Sequence, residues 1–390
     1  MEVYLVGGAV RDRFLGLPIK EKDWCVVGSS PEEMKKRGFQ SIGKDFPVFL
    51  HPETKEEYAL ARTERKIKPG YHGFDFNTSK NVTLVEDLKR RDLSINAMAI
   101  DSNENLIDPF NGLIDLENKK LKHVSKSYQE DPVRVLRTAK FAARFYQLGF
   151  NVHTDTKKIM KKISVDGELD YLVEERVWKE MKQALSDKDP HIFFSVLQEC
   201  GALEKLLPEF YDKNSSIKHN FNIIKDFANR SFDPAVNLSI LIFDVQQSIE
   251  STQKKVRISY KKILESLNQR LPIPKKFIDT SNIFIEIRRF LDFVYPFDED
   301  EILALLENTD AFRRTERFER GLEVCSIMDP SEMELDYYKV LRNIIDRCNN
   351  KSMREIIDGE TNTNKIREKI SGERKKVISQ EINKKFQVPE

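Results

Sequence analysis

A change of hydrophobic rhythm near residue 130 limits the folds open to this chain. Over roughly the first 125 residues, short β-branched and aromatic runs alternate with helical stretches. From DPVRVLRTAKFAARFYQLG onward, apolar residues recur with the 3.6-residue period of amphipathic helices. Any sheet must therefore come from the first third of the chain, and the rest must be helical. Strands are expected at 3–6, 23–27, 48–51 and 58–62, the last two joined as an antiparallel hairpin by the turn-rich PETKEE. A helix is expected over 85–100, a turn at Asn111-Gly112 and a further strand at 121–124. Strands linked by both a hairpin and helices make a mixed α+β domain. In the helical part, Asp131 reads as an N-cap, Pro132 as the first helical residue and Gly149 as the stop. Helices follow at 155–162, 174–186 and 192–200. No fixed-period repeat emerges, although so many amphipathic helices leave an α-array open, and the polar, lysine-rich end from 349 reads as fraying at its last residues.

Length and composition narrow the class further. A chain of 390 residues, 39% apolar and 33% charged, suits a soluble protein and excludes fibrous and disordered classes. Neither a signal-peptide core nor an apolar run near the roughly 20 residues of a membrane span occurs, which places the chain in the cytoplasm with no membrane partner. Cys25, Cys200, Cys325 and Cys348 are widely spaced, without a CxxC pair, and read as buried thiols rather than a zinc or disulfide framework. A net charge of +1 excludes a uniformly basic coat, so a nucleic-acid partner must meet local patches at 119–126, 157–162 or 374–385. Each of these also reads as a solvated helix face.

Four short elements carry chemistry. In LVGGAVRD, Gly7 and Gly8 stand where a strand gives way to a helix, with Arg11 in its first turn; backbone N–H groups and the helix dipole there favour an anion. Tight turns also use glycine for purely structural reasons. Glu21 and Asp23 are spaced by one, so on a strand both carboxylates face one side, a costly arrangement without a cation. Two divalent ions held there would bind a triphosphate and activate a 3′-hydroxyl, whereas an edge strand with exposed charges is the plain alternative. In DLKRRDLSINAMAI, Arg90, Arg91, Asp92 and Asn96 gather on one expected helix, with Asp92 and Asn96 four apart. Arginine suits triphosphate or ribose oxygens, and Asp92 suits orienting that arginine or accepting from a sugar hydroxyl; a surface ion-pair network reads equally well. Finally, EDPVR sets Asp131 beside Arg134 at a helix start, with Arg137 and Lys140 continuing at steps of three. A carboxylate next to a guanidinium accepts cytosine and adenine, which present an amino donor beside a bare ring nitrogen, and rejects guanine and uracil. A capping aspartate on a charged helix face is the alternative.

Taken together and in this order, LVGGAVRDRFLG, DWCVVG, EEYALARTERK, EDLKRRDLSINAMAIDSNENLIDPFNGLIDLENKKLKHV, EDPVRVLRTAKFAARF and GELDYLVEERVWKE resemble the class II tRNA nucleotidyltransferases, the CCA-adding enzymes, of the bacterial branch. The match is dense over roughly residues 1–210 and thin beyond. The resemblance implies a polymerase-β-like head at 1–128, a helical neck with the base-reading helix at 129–208, and a helical, tRNA-binding body and tail at 209–390. It implies template-independent addition of CMP and AMP, from CTP and ATP, to the 3′ end of tRNA, with two Mg2+ ions and no DNA partner; monomer and dimer both fit. Carried over to this sequence, Glu21 and Asp23 are catalytic metal ligands, and Gly8 and Arg11 touch the nucleotide. Arg91 and Asp92, with Asn96 alongside, hold ribose and phosphates; Asp131 and Arg134 read the base, supported by Arg137 and Lys140. ARTERKIKPGY, residues 61–71, resembles the loop that helps the site change from CTP to ATP.

Three departures stand out. Position 21 is Glu where the family usually has Asp, and position 140 is Lys where Arg is usual, which forfeits a bidentate contact. Where related chains carry a metal-dependent HD phosphohydrolase, this one reads LIFDVQ at 241–246, and its last histidine is His219, so no functional HD site is expected. Other readings are an A-adding enzyme, a poly(A) polymerase, or a catalytically silent tRNA-binding protein.

Overall fold

The computed structural model of the chain describes residues 1–42, 48–66, 74–211, 220–252, 259–293, 298–329 and 331–386. His219 and residues 67–71 of the 61–71 segment lie outside them. Two compact units result: Met1–Ala184 with Asp189–Tyr211, and Leu185–Lys188 with Asp212–Glu390.

In the first unit β1 (Glu2–Val6) runs into α1 (Gly8–Phe14), followed by β2 (Asp23–Val27), α2 (Pro31–Lys36), β3 (Gln40–Ser41), β4 (Val48–Leu50) and β5 (Glu57–Leu60). Next come β6 (Thr63–Lys66), β7 (Phe74–Asn77), α3 (Leu84–Lys89), β8 (Ala99–Ile100), β9 (Leu106–Ile107), α4 (Gly112–Glu117) and β10 (Lys120–Leu121). The unit continues with α5 (Val133–Arg144), β11 (Asn151–Val152), α6 (Thr154–Val165), α7 (Glu174–Leu185), α8 (Pro190–Glu199) and α9 (Ala202–Leu206). Seven strands form one mixed sheet in the order β3-β4-β5-β2-β1-β8-β9, in which only β2 and β5 run parallel. The expected hairpin is β4–β5, and β6 and β7 make a separate ribbon.

Alternation along β2 decides what lies on each face of the sheet. Val26 points into a cluster with Met34, Phe49 and Leu60 beneath α2. Cys25 and Val27 point the other way, towards Leu84 and Leu88 of α3. Full burial of one such leucine contributes about 2 kcal/mol. Both covering helices open with reciprocal capping boxes written in the sequence, Ser30 with Glu33 and Thr83 with Glu86.

The second unit is helical: α10 (Asn222–Phe227), α11 (Pro234–Thr252), α12 (Tyr260–Arg270), α13 (Lys275–Phe293), α14 (Glu299–Asn308), α15 (Thr315–Met328), α16 (Glu332–Asn349), α17 (Met353–Ile357) and α18 (Thr363–Phe386). Its core gathers Leu238, Ile242, Phe284, Ile287, Phe318 and Leu322. Gly321 lets α15 close on α13, since a Cβ there would collide with Ile283. Asp244, from LIFDVQ, accepts the Ile224 N–H at 2.9 Å in the first turn of α10. Burial pushes its carboxyl up to about 6. Because this folded-state pKa exceeds the unfolded value, the stability it favours is complete below about pH 4 and is lost as pH rises through about 6. Asp244→Asn, which keeps an acceptor without the charge, is therefore expected to raise unfolding free energy at pH 7.5 by about 1–3 kcal/mol and to leave it unchanged at pH 4. Urea titrations at the two pH values measure this.

Four expectations are corrected. The helix expected over 85–100 ends at Lys89; a 3₁₀ turn, Ser94–Asn96, and β8 follow. The chain breaks there because residues 92–94 pair with 122–124 instead: Ser94 N–H donates to the Lys122 carbonyl, Val124 N–H donates to that of Asp92, and Leu93 bridges His123. The strand expected at 121–124 is accordingly only β10, paired in parallel with β11. Asp131 is not the N-cap of α5 but precedes it, with Pro132 in that place, and α5 stops at Arg144 before a separate turn that ends on Gly149. Glu21 falls just outside β2, which begins at Asp23.

Candidate active site

Strand register assembles the site. Val6, the last residue of β1, lies opposite Asp23, the first of β2, so the Gly7-Gly8 turn stands beside the acidic end of the sheet. Gly7 has φ +73°, and a Cβ there would come within 2.9 Å of Arg91 Nη1, so only glycine allows that arginine to lie across the turn. Asp23 opens onto a cleft of about 240 Å³ whose walls include Cys25, Glu57, Arg62, Asp87 and Arg91. Crowding by those walls pushes the Asp23 carboxyl up, Arg91 pulls it back and Glu21 raises it again. Glu57 sits directly across from Asp23 in the parallel pair β2–β5.

Glu21 and Asp23 are hard oxygen donors that repel each other, which suits magnesium. Among the described residues no three histidine, cysteine or carboxylate side chains form a complete metal cage. An ion held by this pair keeps coordination positions for phosphate oxygens.

A buried polar chain runs behind the turn. Asp92 is 6% exposed; its Oδ1 accepts from Asn96 Nδ2 at 3.1 Å and from the Leu93 N–H, and its Oδ2 accepts from Arg137 Nε at 2.7 Å. Burial alone would raise its pKa, but Arg137 and Asn96 hold it well below the usual carboxylate range. The pairing of Asp92 with Asn96 expected from helical spacing thus forms on a non-helical backbone. Asn96 Oδ1 in turn accepts from Arg11 Nη1 at 2.6 Å, and Arg11 bonds Asp12 through Nε at 2.8 Å and Nη2 at 2.7 Å. The Arg11 guanidinium lies 5.1 and 4.9 Å from the Phe141 and Phe145 ring centres, and Arg144 of α5 reaches Asp12 at 3.3 Å. At 3% exposure, Arg11 is a strut between α1 and α5, and burial lowers its pKa.

The base-reading candidates do not pair with each other. Arg134 donates to the carbonyls of Ser127 (2.7 Å) and Arg90 (2.5 Å), while Asp131 takes both arms of Arg176 from α7, at 3.1 and 2.7 Å. Six residues beyond Arg134, Lys140 Nζ meets Glu180 at 2.5 Å and Gln183 Oε1 at 2.8 Å, also from α7. Helix α7 therefore fixes both ends of the 131–140 stripe. Burial lowers the Lys140 pKa, with Glu180 opposing. Removing one partner of such a buried pair strands the other charge, so Lys140→Met is expected to cost about 3 kcal/mol in urea unfolding, and Lys140→Met/Glu180→Leu to regain most of it.

Four residues of the site escaped the motif reading: Asp12, Glu57, Asp87 and Arg176. Only Asp87 had a local signal, three and four residues before Arg90 and Arg91 on one helical stretch. Of the basic runs, Lys157 pairs with Glu199 and Lys158 with Asp155, while in the second unit Arg374 pairs with Glu307 and lies over Phe312.

Residues 3–122 match the family model "Poly A polymerase head domain", and 149–213 match "Probable RNA and SrmB- binding site of polymerase A". The multifunctional CCA protein of Legionella pneumophila (strain Lens) is 44% identical over 342 residues, covering 83% of each chain. The CCA-adding enzyme of Coxiella burnetii (strain RSA 331 / Henzerling II) is 46% identical over 331 residues, covering 84% of this chain and 82% of that one. Among solved structures, the Bacillus stearothermophilus CCA-adding enzyme in complex with CTP superposes with a TM-score of 0.66 at 19% identity, over 97% of this chain and 89% of that one. The Thermotoga maritima CCA-adding enzyme complexed with tRNA gives 0.64 at 19% identity, over 98% and 91%. The shared fold, and above all identity of 44–46% across more than four fifths of the sequence, mean that the chain belongs to the bacterial CCA-adding tRNA nucleotidyltransferases.

Proposed function

We propose that this chain adds CMP and AMP, from CTP and ATP and without a template, to the 3′ end of tRNA. The 3′-hydroxyl attacks the α-phosphorus, a new O–P bond forms and pyrophosphate leaves. The observation that carries this reading is the convergence at one sheet end of Asp23, the Gly7-Gly8 turn and Arg91. Gly8 at the start of α1 offers backbone N–H groups to the triphosphate, and Arg91, its guanidinium across the turn, neutralises phosphate charge. Arg11, Asp92, Asn96 and Arg137 keep that surface rigid and place donors and acceptors for the ribose, so the geometry exists before substrate arrives. Glu21 and Asp23 would hold magnesium, two ions in this reading, which supplies charge neutralisation and activation of the 3′-hydroxyl when bound.

Base choice falls to Asp131 and Arg134. Arg176 leaves Asp131 outer lone pairs for an exocyclic amino group, and Arg134 serves the bare ring nitrogen once it leaves one of its two carbonyls. Lys140 supports the pair through α7. Residues 1–128 thus act as the catalytic head and 129–208 as the neck, while 209–390 grip tRNA by backbone and shape in a salt-sensitive contact.

Incubating purified protein with tRNA truncated before CCA, with CTP, ATP or both, and sequencing the ends tests this. Two cytidines with CTP alone, and CCA with both, are expected. Adenosine addition alone would move the chain to the A-adding or poly(A) class, and no extension would sink the enzyme reading.

A further inference from the structure

Asp87 opens the DLKRRDLSINAMAI stretch without a role read for it there, yet among the described residues it is the most heavily used carboxylate beside the cleft. It lies on α3 and is 1% exposed. Its Oδ1 accepts from Arg90 Nε at 3.0 Å, Arg90 Nη2 at 2.8 Å and the Arg62 backbone N–H at 3.2 Å, and its Oδ2 accepts from Arg91 Nη2 at 3.2 Å. Burial would raise its pKa; Arg90 and Arg91 bring it down to about 2 instead. Arg91 is thereby gripped at one amino group, while the other reaches the Asn96 carbonyl at 3.4 Å beside Gly7. Arg91 Nε, closed off from solvent, has no acceptor among the described residues. Beyond Arg90 the chain of contacts continues: Glu64 of β6 accepts from Arg90 Nη1 at 2.7 Å and from Arg62 Nε at 3.0 Å.

We propose that Asp87 is a positioning residue of the nucleotide site: it sets Arg91 across the Gly7 turn, next to Asp23, and anchors the foot of the β6–β7 ribbon to the same point. The proposal deepens the functional reading and rests on it for the contact between Arg91 and the triphosphate. Three observations favour this over a merely structural ion pair. Both oxygens of Asp87 are spent on groups lining the cleft that Asp23 opens onto. The arginine it holds lies across the Gly7 turn, where a Cβ would come within 2.9 Å of its Nη1, and that turn follows Val6, which pairs with Asp23. Finally, a neutral amide cannot replace it, because the amide NH2 would face the donors of Arg90, Arg62 or Arg91.

A double-mutant cycle on the full chain tests the idea, with CTP affinity in Mg2+ measured by calorimetry and thermal midpoints recorded alongside. Asp87→Asn and Arg91→Ala are each expected to weaken CTP about 10-fold, and the double variant to bind within about twofold of Arg91→Ala, because the same contact is lost once. In tRNA extension, Asp87→Asn raises the KM for CTP in the same proportion and leaves kcat within about threefold, the mark of lost nucleotide binding. Should Asp87→Asn lose its folding transition, Asp87→Glu, with the charge kept and moved by one methylene, is expected to weaken CTP about threefold and to have no effect on top of Arg91→Ala. The proposal is overturned by unchanged CTP affinity in the folded Asp87 variant, by losses that add in full, or by a fall in kcat at constant KM. A wild-type protein that binds CTP but extends no tRNA sinks the functional reading instead, and the binding cycle still decides the role of Asp87.

Discussion

Asp23→Ala is expected to lower CMP addition to truncated tRNA by about 10³-fold or more while tRNA affinity stays within about twofold, because the lost group acts on the reacting phosphate and not on the RNA body. Stability should move the other way. The Asp23 carboxyl is raised above its ordinary value, first by crowding and then by Glu21. A group raised in the folded state favours folding below its unfolded pKa and loses that contribution as pH rises through the folded one, so at neutral pH the ionised carboxylate is a burden on the fold. The alanine variant is therefore expected to melt no lower than wild type at pH 7.5, which separates loss of chemistry from loss of structure. Single-turnover rates with Mg2+ at pH 7.5, beside metal-free thermal melts, measure both. An inactive variant that also melts early would remove Asp23 from its catalytic role.

The second large effect belongs to Arg176. With its fork gone, Asp131 keeps only the Val133 N–H at 3.1 Å among its hydrogen bonds described here, and its carboxylate is free to turn towards Arg134. Arg176→Ala is expected to raise the KM for CTP and ATP about 10- to 100-fold and to cut the preference for CTP over UTP about tenfold, since discrimination depends on a fixed acceptor. Arg176→Lys restores little, because an ammonium cannot make the paired contact. Values of kcat/KM for all four triphosphates check this. A preference for CTP that survives Arg176→Ala would show that Asp131 does not choose the base through this contact.

These two residues mark what the sequence can and cannot display. The strand that Asp23 opens was legible because alternation is a local rule: β2 begins where its residues announced it, although Glu21, two residues earlier, lies outside the strand and alternation does not set its direction. The mixed α+β fold and the long α5, α6, α7 and α8 were legible for the same reason, as period and caps are written within a dozen residues. Residues 90–98 misled. Their helical pattern of Leu93, Ile95, Ala97 and Met98 yields to pairing with 122–124, a tertiary preference that overrides local propensity. Arg176 had no local signal at all, for its partner Asp131 lies 45 residues earlier, and Glu57 acquires meaning only through the parallel pairing of β5 with β2.

That distance along the chain bears on the order of synthesis. A ribosome that has extruded the first 150 residues has already delivered the glycine turn, the acidic pair and the stripe from Asp131 to Lys140. Arg176, Glu180 and Gln183, which hold the two ends of that stripe, emerge only later. On the proposed reading, a nascent or clipped polypeptide ending ahead of them carries the parts for transfer without the brace for choosing a base, so base choice is gained after those parts and ahead of the region that grips tRNA.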